Sequence, residues 1–349
     1  MQRKLKIFTS IILSVFTLSA CKFDSTIPAS NNAASASSSS SLQASAAIIA
    51  TTNTDSGNEA SSTASSASSS SDAASSASTT ETPKKTTKIV FLGDSQFNNG
   101  RDSGTSVAKY VRDFTGFEVY NLGCGGTTAS LNPKDNYQSK EPCFINVCRY
   151  LKGEIDASIF NQPAYSAAAA VAGTFDPKDV DFYVVEYGIN DFNAKRPLSD
   201  GKSTNGAVYY VSAMKMGLTW LKELSPNATI ILCPPLYAQF WGKDGSFLGD
   251  GNVYSNGITN LHEYADNCAQ VGRSLGCIVV DTYDGKYMDL NSINAKKWLE
   301  KDGIHLTRAG RVTFASVISH FINKKMGYDN SEINSPYTID TYMTAEDKH

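Results

Sequence analysis

The sequence predicts a three-layer α/β/α domain, with helices on both faces of a doubly wound sheet of about five parallel strands. Three observations carry that reading. Short runs rich in β-branched and aromatic residues recur along the chain. The longer stretches between them place apolar residues three and four positions apart, the period of a helix with one buried face. The two kinds of segment alternate, and a strand followed by a crossover helix returns parallel to its neighbour.

Lys88 to Leu92 is the first expected strand, and its unbroken apolar run from Ile89 suits a strand covered on both faces. Phe117 to Leu122, Asp181 to Tyr187, Thr229 to Leu232 and Cys277 to Asp281 are the others. Helices are expected at Val107 to Phe114, Val208 to Leu224, Asn260 to Ser274 and Ala309 to Lys325. An alanine-rich run, Tyr165 to Val171, reads as a structural helix packed closely on the sheet. In doubly wound sheets the ligand crevice lies outside the carboxyl ends of the strands. The segments that follow the strands are therefore where chemistry is to be sought.

Gly93-Asp94-Ser95-Gln96 follows the first strand, and Asn121-Leu122-Gly123-Cys124-Gly125-Gly126 follows the second. Gly188-Ile189-Asn190-Asp191 follows the third, and Asp302-Gly303-Ile304-His305 precedes the last helix. Each alone is ordinary turn chemistry. Four in order on one rim are a site.

A serine hydroxyl needs a neighbouring base to take its proton, and that base needs a third group to orient it. Of the four histidines, His262 and His320 fall within helices and His349 is the last residue. His305 stands in a loop at a helix start, three residues after Asp302, which can reach its ring from the same turn. With Ser95 these residues can run acyl transfer. Ester cleavage also develops negative charge on the carbonyl oxygen, and N–H groups aimed there are worth about 10²–10³ in rate each. Amides in the loop Gly123 to Gly126, of Asn190, and of Ser95 itself are the candidate donors.

These four segments resemble the blocks of the SGNH or GDSL hydrolases. The resemblance spans nearly all of Lys88 to Met326 and implies a flavodoxin-like fold with Ser95 as nucleophile, His305 as base and Asp302 as the acid. It places the oxyanion hole on Ser95, Gly126 and Asn190, with Gly123 as the alternative glycine, because N-x-G-x-x-G in the family puts the oxyanion glycine last. Gln96 replaces the leucine of the GDSL name and leaves the nucleophile in place. The implied chemistry is ester hydrolysis through an acyl-enzyme, with no cofactor and no metal. Family substrates range over acetylated sugars, acyl lipids and acylated cell-wall polymers, and fold does not choose among them.

Two other motifs compete for attention. Gly272-Arg273-Ser274-Leu275-Gly276 fits the G-x-S-x-G elbow, but it leaves a helix and enters a strand, the reverse of an elbow. Gly123-Cys124-Gly125 lacks the third glycine of a dinucleotide fingerprint. Cys124 has nothing nearby in sequence to activate it and reads as a packing residue or a disulfide partner.

Substrate walls are expected from the excursions Thr127 to Asp179, Phe192 to Ala207 and Leu236 to Ile258. The last holds Tyr237, Phe240, Trp241, Phe247 and Tyr254, which either stack on sugar rings or line an acyl groove, or else form a hydrophobic cluster under a long loop. Tyr237 and Trp241 are the substrate-binding candidates. The expected activity is deacetylation of carbohydrate; the alternatives are a lipase or acyl-ester hydrolase, and an inactive surface-binding lipoprotein.

Ahead of this domain, residues 1–20 carry Arg3, Lys4 and Lys6, an apolar run from Ile7 to Leu18, and small residues before Cys21, the layout of an export signal. The run is shorter than the roughly 20 apolar residues of a membrane span. Leu18-Ser19-Ala20-Cys21 resembles the bacterial lipoprotein box, which implies lipidation of Cys21 and a membrane-anchored, extracytoplasmic protein on the cell surface. Residues 21–87 are almost all Ser, Ala, Thr and Asn, too poor in large apolar groups to offset their ordering entropy, and read as a disordered tether with a reach of roughly 45 Å. The hydrolase domain is placed at 88–328 and a C-terminal tail at 329–349. A formal net charge of −3 with no basic stripe excludes a nucleic-acid partner. Six cysteines remain after Cys21, an even number that permits disulfides, with Cys143–Cys148 and Cys268–Cys277 the local pairings and free buried thiols the alternative. No C-x-x-C pair or H-E-x-x-H motif supplies a metal site.

Overall fold

Seven strands shape the described part of the chain: β1 (Lys88–Gly93), β2 (Glu118–Asn121), β3 (Phe182–Glu186), β4 (Thr229–Cys233), β5 (Gln239–Trp241), β6 (Phe247–Asp250) and β7 (Ile278–Val279). This computed structural model describes residues 86–134, 140–199, 206–283 and 285–347, all within one of two units of the chain, Ser78–His349. The signal segment, Cys21, the tether up to residue 85, and His349 lie outside the described residues.

Five strands form one parallel sheet in the order β2-β1-β3-β4-β7. The expected five strands are all present, each within a few residues of the predicted bounds. Ile89, Val90, Phe91 and Leu92 are wholly buried, as a central strand covered on both faces requires. The chain moves one way from β1 to β2 and the other way from β2 onward. Right-handed crossovers therefore put the helix between β1 and β2 on one face and the crossover helices after β2 on the other.

The nine helices of the described residues are α1 (Ser95–Asn98), α2 (Val107–Thr115), α3 (Phe144–Leu151), α4 (Ser166–Ala169), α5 (Ile189–Asn193), α6 (Tyr210–Leu224), α7 (Leu261–Ser274), α8 (Ala295–Trp298) and α9 (Arg308–Met326). α2 packs on α9, while α3, α6 and α7 pack side by side. α2 opens on Ser106, whose hydroxyl accepts the Lys109 N–H, and closes on Gly116 at φ 70°, where a side chain would be strained. The alanine-rich run forms only the single turn α4, largely exposed and packed on the turns at Ala157–Phe160 and Pro163–Tyr165; alanine alone offers too little apolar surface to seat it on the sheet.

α9 is buried around most of its circumference because the segment after residue 328 returns over it. Asp329 bonds His320 Nδ1 at 2.9 Å, Tyr342 bonds Ser316 at 2.9 Å, Tyr337 bridges to Met288, and Asp347 pairs with Arg308. Ile339 is buried at the centre of this wrap. The expected tail is thus, as far as residue 347, part of the domain surface.

Neither local disulfide forms: the six cysteines of the domain are free thiols. Cys143 and Cys148 are five positions apart at α3, about 140° around a helix, and pack into different apolar clusters.

Gly217 of α6 faces the ring of Phe144 on α3 so closely that a methyl group there would collide with it. Gly217→Ala should cost about 1–3 kcal/mol of stability by overpacking and leave turnover of a small ester unchanged. Urea denaturation alongside esterase assays reads both; undiminished stability would mean that the two helices can move apart freely.

Candidate active site

Asp94, at the end of β1, caps α1 with its own carboxylate, Oδ1 accepting the Gln96 N–H at 3.0 Å. That turn holds Ser95 at the first helical position with its hydroxyl at the carboxyl edge of the sheet. Gly93 is needed just before it, since a Cβ there would stand 2.9 Å from the Glu186 carbonyl of the neighbouring strand.

His305 comes 210 residues later, and its Nε2 lies 2.8 Å from Ser95 Oγ. Its Nδ1 lies 2.5 Å from Asp302 Oδ2. Asp302 Oδ1 also accepts the N–H groups of Ile304 and His305, at 2.9 and 3.0 Å, so one carboxylate shapes the turn and orients the ring. Gln96 joins the two loops by donating Nε2 to the Ile304 carbonyl at 2.9 Å. The three expected residues are brought into one chain of hydrogen bonds, with the ring tautomer set by the carboxylate behind it.

Burial opposes ionisation of Asp302, but the bonds from the His305 ring and the two amides outweigh it and hold the carboxyl at about 2. The same pairing raises His305 above its ordinary 6.5, against the effect of its burial, with the charges of Asp302, Asp94 and Glu300 adding to the rise.

The glycine loop meets the serine at Gly125. An ideal Cβ on Gly125 would stand 3.8 Å from Ser95 Cβ and 3.6 Å from Asn98 Nδ2, whereas one on Gly126 would meet nothing within 4 Å. Gly126 is instead required by its φ of 79°. Its N–H belongs to the peptide that leaves Gly125 beside the serine; Gly123 sits deeper, against Phe97. Asn190 turns its side chain inward, and Nδ2 donates to Asp94 Oδ2 and to the Thr127 carbonyl, both at 3.0 Å. To serve an oxyanion, the Asn190 amide has to share or release one of these acceptors.

A family profile described as the GDSL-like lipase/acylhydrolase family matches residues 91–311. The chain belongs to the GDSL-like lipase/acylhydrolase family. It is accordingly a serine hydrolase acting on ester bonds. A crystal structure that is 19% identical, covering 67% of this chain and 94% of its own, superposes at a TM-score of 0.50 and has the same fold. A possible lipase from Chitinophaga pinensis is 19% identical over 69% of this chain and 99% of its own, at a TM-score of 0.46. An acetyl-xylooligosaccharide esterase from Geobacillus is 17% identical over 70% and 96%, at 0.41. Comparison with curated proteins finds no match.

In this GDSL-like hydrolase several residues that the sequence reading passed over tie the blocks together. Asp191, wholly buried, accepts from the Ala129 N–H at 2.7 Å, the Ser130 N–H at 3.0 Å and the Ser130 hydroxyl at 2.6 Å, anchoring the glycine loop to α5. Burial raises its carboxyl to about 6 despite those bonds. Asn121 accepts the Gly123 N–H at 2.9 Å and donates to the Phe97 carbonyl at 2.8 Å, while Arg101 donates to the carbonyls of Asn121 and Gly123. Asp191 and Asn121 were signalled in sequence only by their place inside the motifs, and Arg101 lies outside all of them. Cys124 is buried, with its thiol pushed up to about 12, and is a packing residue. Ser274 ends α7, its hydroxyl bound to the Val271 carbonyl.

Tyr237, expected to bind substrate, is turned into the protein interior. It is 3% exposed, its hydroxyl is bound to Asp250 Oδ2 at 2.9 Å and its ring packs on Tyr283. Two more of the loop's aromatics turn inward, Phe240 and Tyr254 stacking on each other and packing against Phe192. Trp241, by contrast, is 42% exposed on the β5–β6 hairpin and contacts Phe247.

Only the neutral imidazole can take the serine proton, so activity should fall as pH drops through the raised His305 value, above 6.5. In Asp302→Ala that acid limb should move to lower pH while kcat/KM falls by roughly 10²–10⁴. A pH profile of both proteins on a chromogenic acetate checks the sign; an unmoved limb would detach Asp302 from the histidine.

Proposed function

We propose that this enzyme removes short acyl groups, acetyl first, from carbohydrate, using Ser95, His305 and Asp302. The hydrogen-bonded chain from Ser95 Oγ through His305 to Asp302 supports the mechanism. Ser95 Oγ attacks the ester carbonyl as its proton passes to His305 Nε2, and Asp302 stabilises the imidazolium. Charge on the carbonyl oxygen is met by the N–H of Ser95, an amide at the first turn of a helix, by the N–H of Gly126 and by Asn190. His305 returns its proton to the departing sugar oxygen, which leaves as a hydroxyl with the acyl group on Ser95, and then activates the water that removes it.

One observation supports the sugar. A cleft of about 1070 Å³ adjoins Asp302 and Gly303, with Trp241 at its side and Lys297, Lys301, Glu300 and Asp340 around it. A half-exposed indole beside charged side chains that can bond hydroxyl groups is a surface suited to a pyranose ring. The exposed Phe247, Leu248 and Val253 in the neighbouring segment favour a second reading, long-chain acyl esters. A site with every motif position filled and its hydrogen bonds made speaks against an inactive binding protein.

We also propose that the enzyme works outside the cytoplasm on a lipid at Cys21, which rests on the first 21 residues alone. Cys21→Ala should then move the protein from the membrane to the soluble fraction, and an unchanged distribution would remove the anchor.

Serine-dependent acetate release from acetylated polysaccharide tests the activity, with Ser95→Ala expected to lose several orders of magnitude. Trp241→Ala should impair the polymer about tenfold more than nitrophenyl acetate. Equal loss on both, or a preference for octanoate over acetate esters, would sink the carbohydrate reading.

A further inference from the structure

Glu186 ends β3 in register with Gly93, the residue before Asp94 and Ser95. It is a carboxyl group with no exposure in an otherwise apolar strand. No N–H or O–H donor among the described residues reaches either of its oxygens. The polar group that faces it is the Asp94 carboxyl, one residue past its register partner Gly93 and likewise fully buried.

Two carboxyl groups facing each other away from water cannot both be ionised, and a hydrogen bond between them requires one proton. The surroundings decide which carries it. Asp94 already accepts on both oxygens, from the Gln96 N–H and from Asn190 Nδ2, and feels the charge of His305; each contact favours its ionised form. Glu186 has no such donors. We propose that Glu186 is a positioning residue of the ester-hydrolysing site: its neutral carboxyl group donates a hydrogen bond to the Asp94 carboxylate and keeps Asp94 ionised and fixed as acceptor for the serine turn and for Asn190.

This rests on the roles given to Ser95 and Asn190 above. Burial drives Asp94 up to about 6 even with its donors, so the loss of one lets it take a proton within the working range. The Asn190 amide then loses its charged partner, and His305 loses one of the anions that favour its cation. The other titratable groups around the pair are Tyr187, which follows Glu186, Asp191 on α5, Tyr210 on α6, Cys233 on β4 and Cys268 on α7. Burial pushes both phenols and both thiols upward, so all four stay neutral while the carboxyls titrate.

Two substitutions in the full-length enzyme separate the donor from the space it fills. Glu186→Gln keeps an N–H donor at the same place and should hold kcat on nitrophenyl acetate within about threefold of the parent. Glu186→Met fills the space without a donor and should lower kcat about tenfold or more at nearly constant KM, with activity now governed by ionisation of Asp94, so that the acid limb follows that raised carboxyl to higher pH; loss of an anion beside His305 alone would move the limb down. Infrared difference spectra of the parent against Glu186→Gln at about pH 8 should show the carbonyl stretch of a protonated carboxyl group. The proposal is overturned by carboxylate bands alone, by parental kcat and pH profile in Glu186→Met, or by a Glu186→Gln enzyme as impaired as Glu186→Met. Should Glu186→Met not fold, the infrared result on the isosteric variant decides. Activity surviving in Ser95→Ala would instead remove the Ser95 reading and leave the infrared band untouched.

Discussion

Asp94 has to be satisfied without water, and the loops of the active site are arranged around that need. A carboxylate removed from solvent is costly unless donors surround it. Here the donors come from different parts of the chain: the Gln96 amide of the serine turn, the Asn190 side chain at the end of β3, and the neutral carboxyl group proposed for Glu186. Meeting the demand of one side chain therefore fixes the serine turn against α5. The parallel register of β1 and β3 makes this possible, because it sets Gly93 beside Glu186 and brings both strand ends to one level. This is also the point at which the strand order reverses direction, where a crevice opens in doubly wound sheets.

A second buried carboxylate repeats the device. Asp191 adjoins Asn190 in sequence but turns away from it to bind the backbone at Ala129 and Ser130. Successive residues of α5 thus serve two purposes, one bound to Asp94 beside the serine and one holding the segment after the glycine loop. Such pinning matters because donors stabilise a developing oxyanion only if they are already in place when the charge appears. Gln96 closes the ring by joining the serine turn to the histidine loop.

The histidine loop differs in character. Asp302 and His305 keep side-chain exposures of 47% and 28%, so solvent screens their attraction, and its value lies in orientation and tautomer more than in stability. The large cleft lies on this exposed side, bounded by the β5–β6 hairpin, α8 and the returning C-terminal segment. The serine turn sits at a strand end, while the cleft is built from the excursions between the elements of the sheet.

Periodicity alone determined the five strands, the four long helices and the rim on which the motifs gather, because burial of one helix face or both strand faces writes itself into local spacing. Motif order determined Ser95, Asp302 and His305, since a histidine and its carboxylate three residues away share one turn wherever the chain goes. Pairing across 210 residues, as between Ser95 and His305, needed the sheet. The same holds for Glu186, whose neighbour Asp94 is 92 positions away in sequence and adjacent only through strand register. Tyr237 and Trp241 look alike in the sequence, aromatic residues of one loop, yet one is buried on Tyr283 and the other stands beside the cleft. Only the tertiary structure could separate them, because which face of a long excursion turns inward is set by what it packs against and not by its own residues.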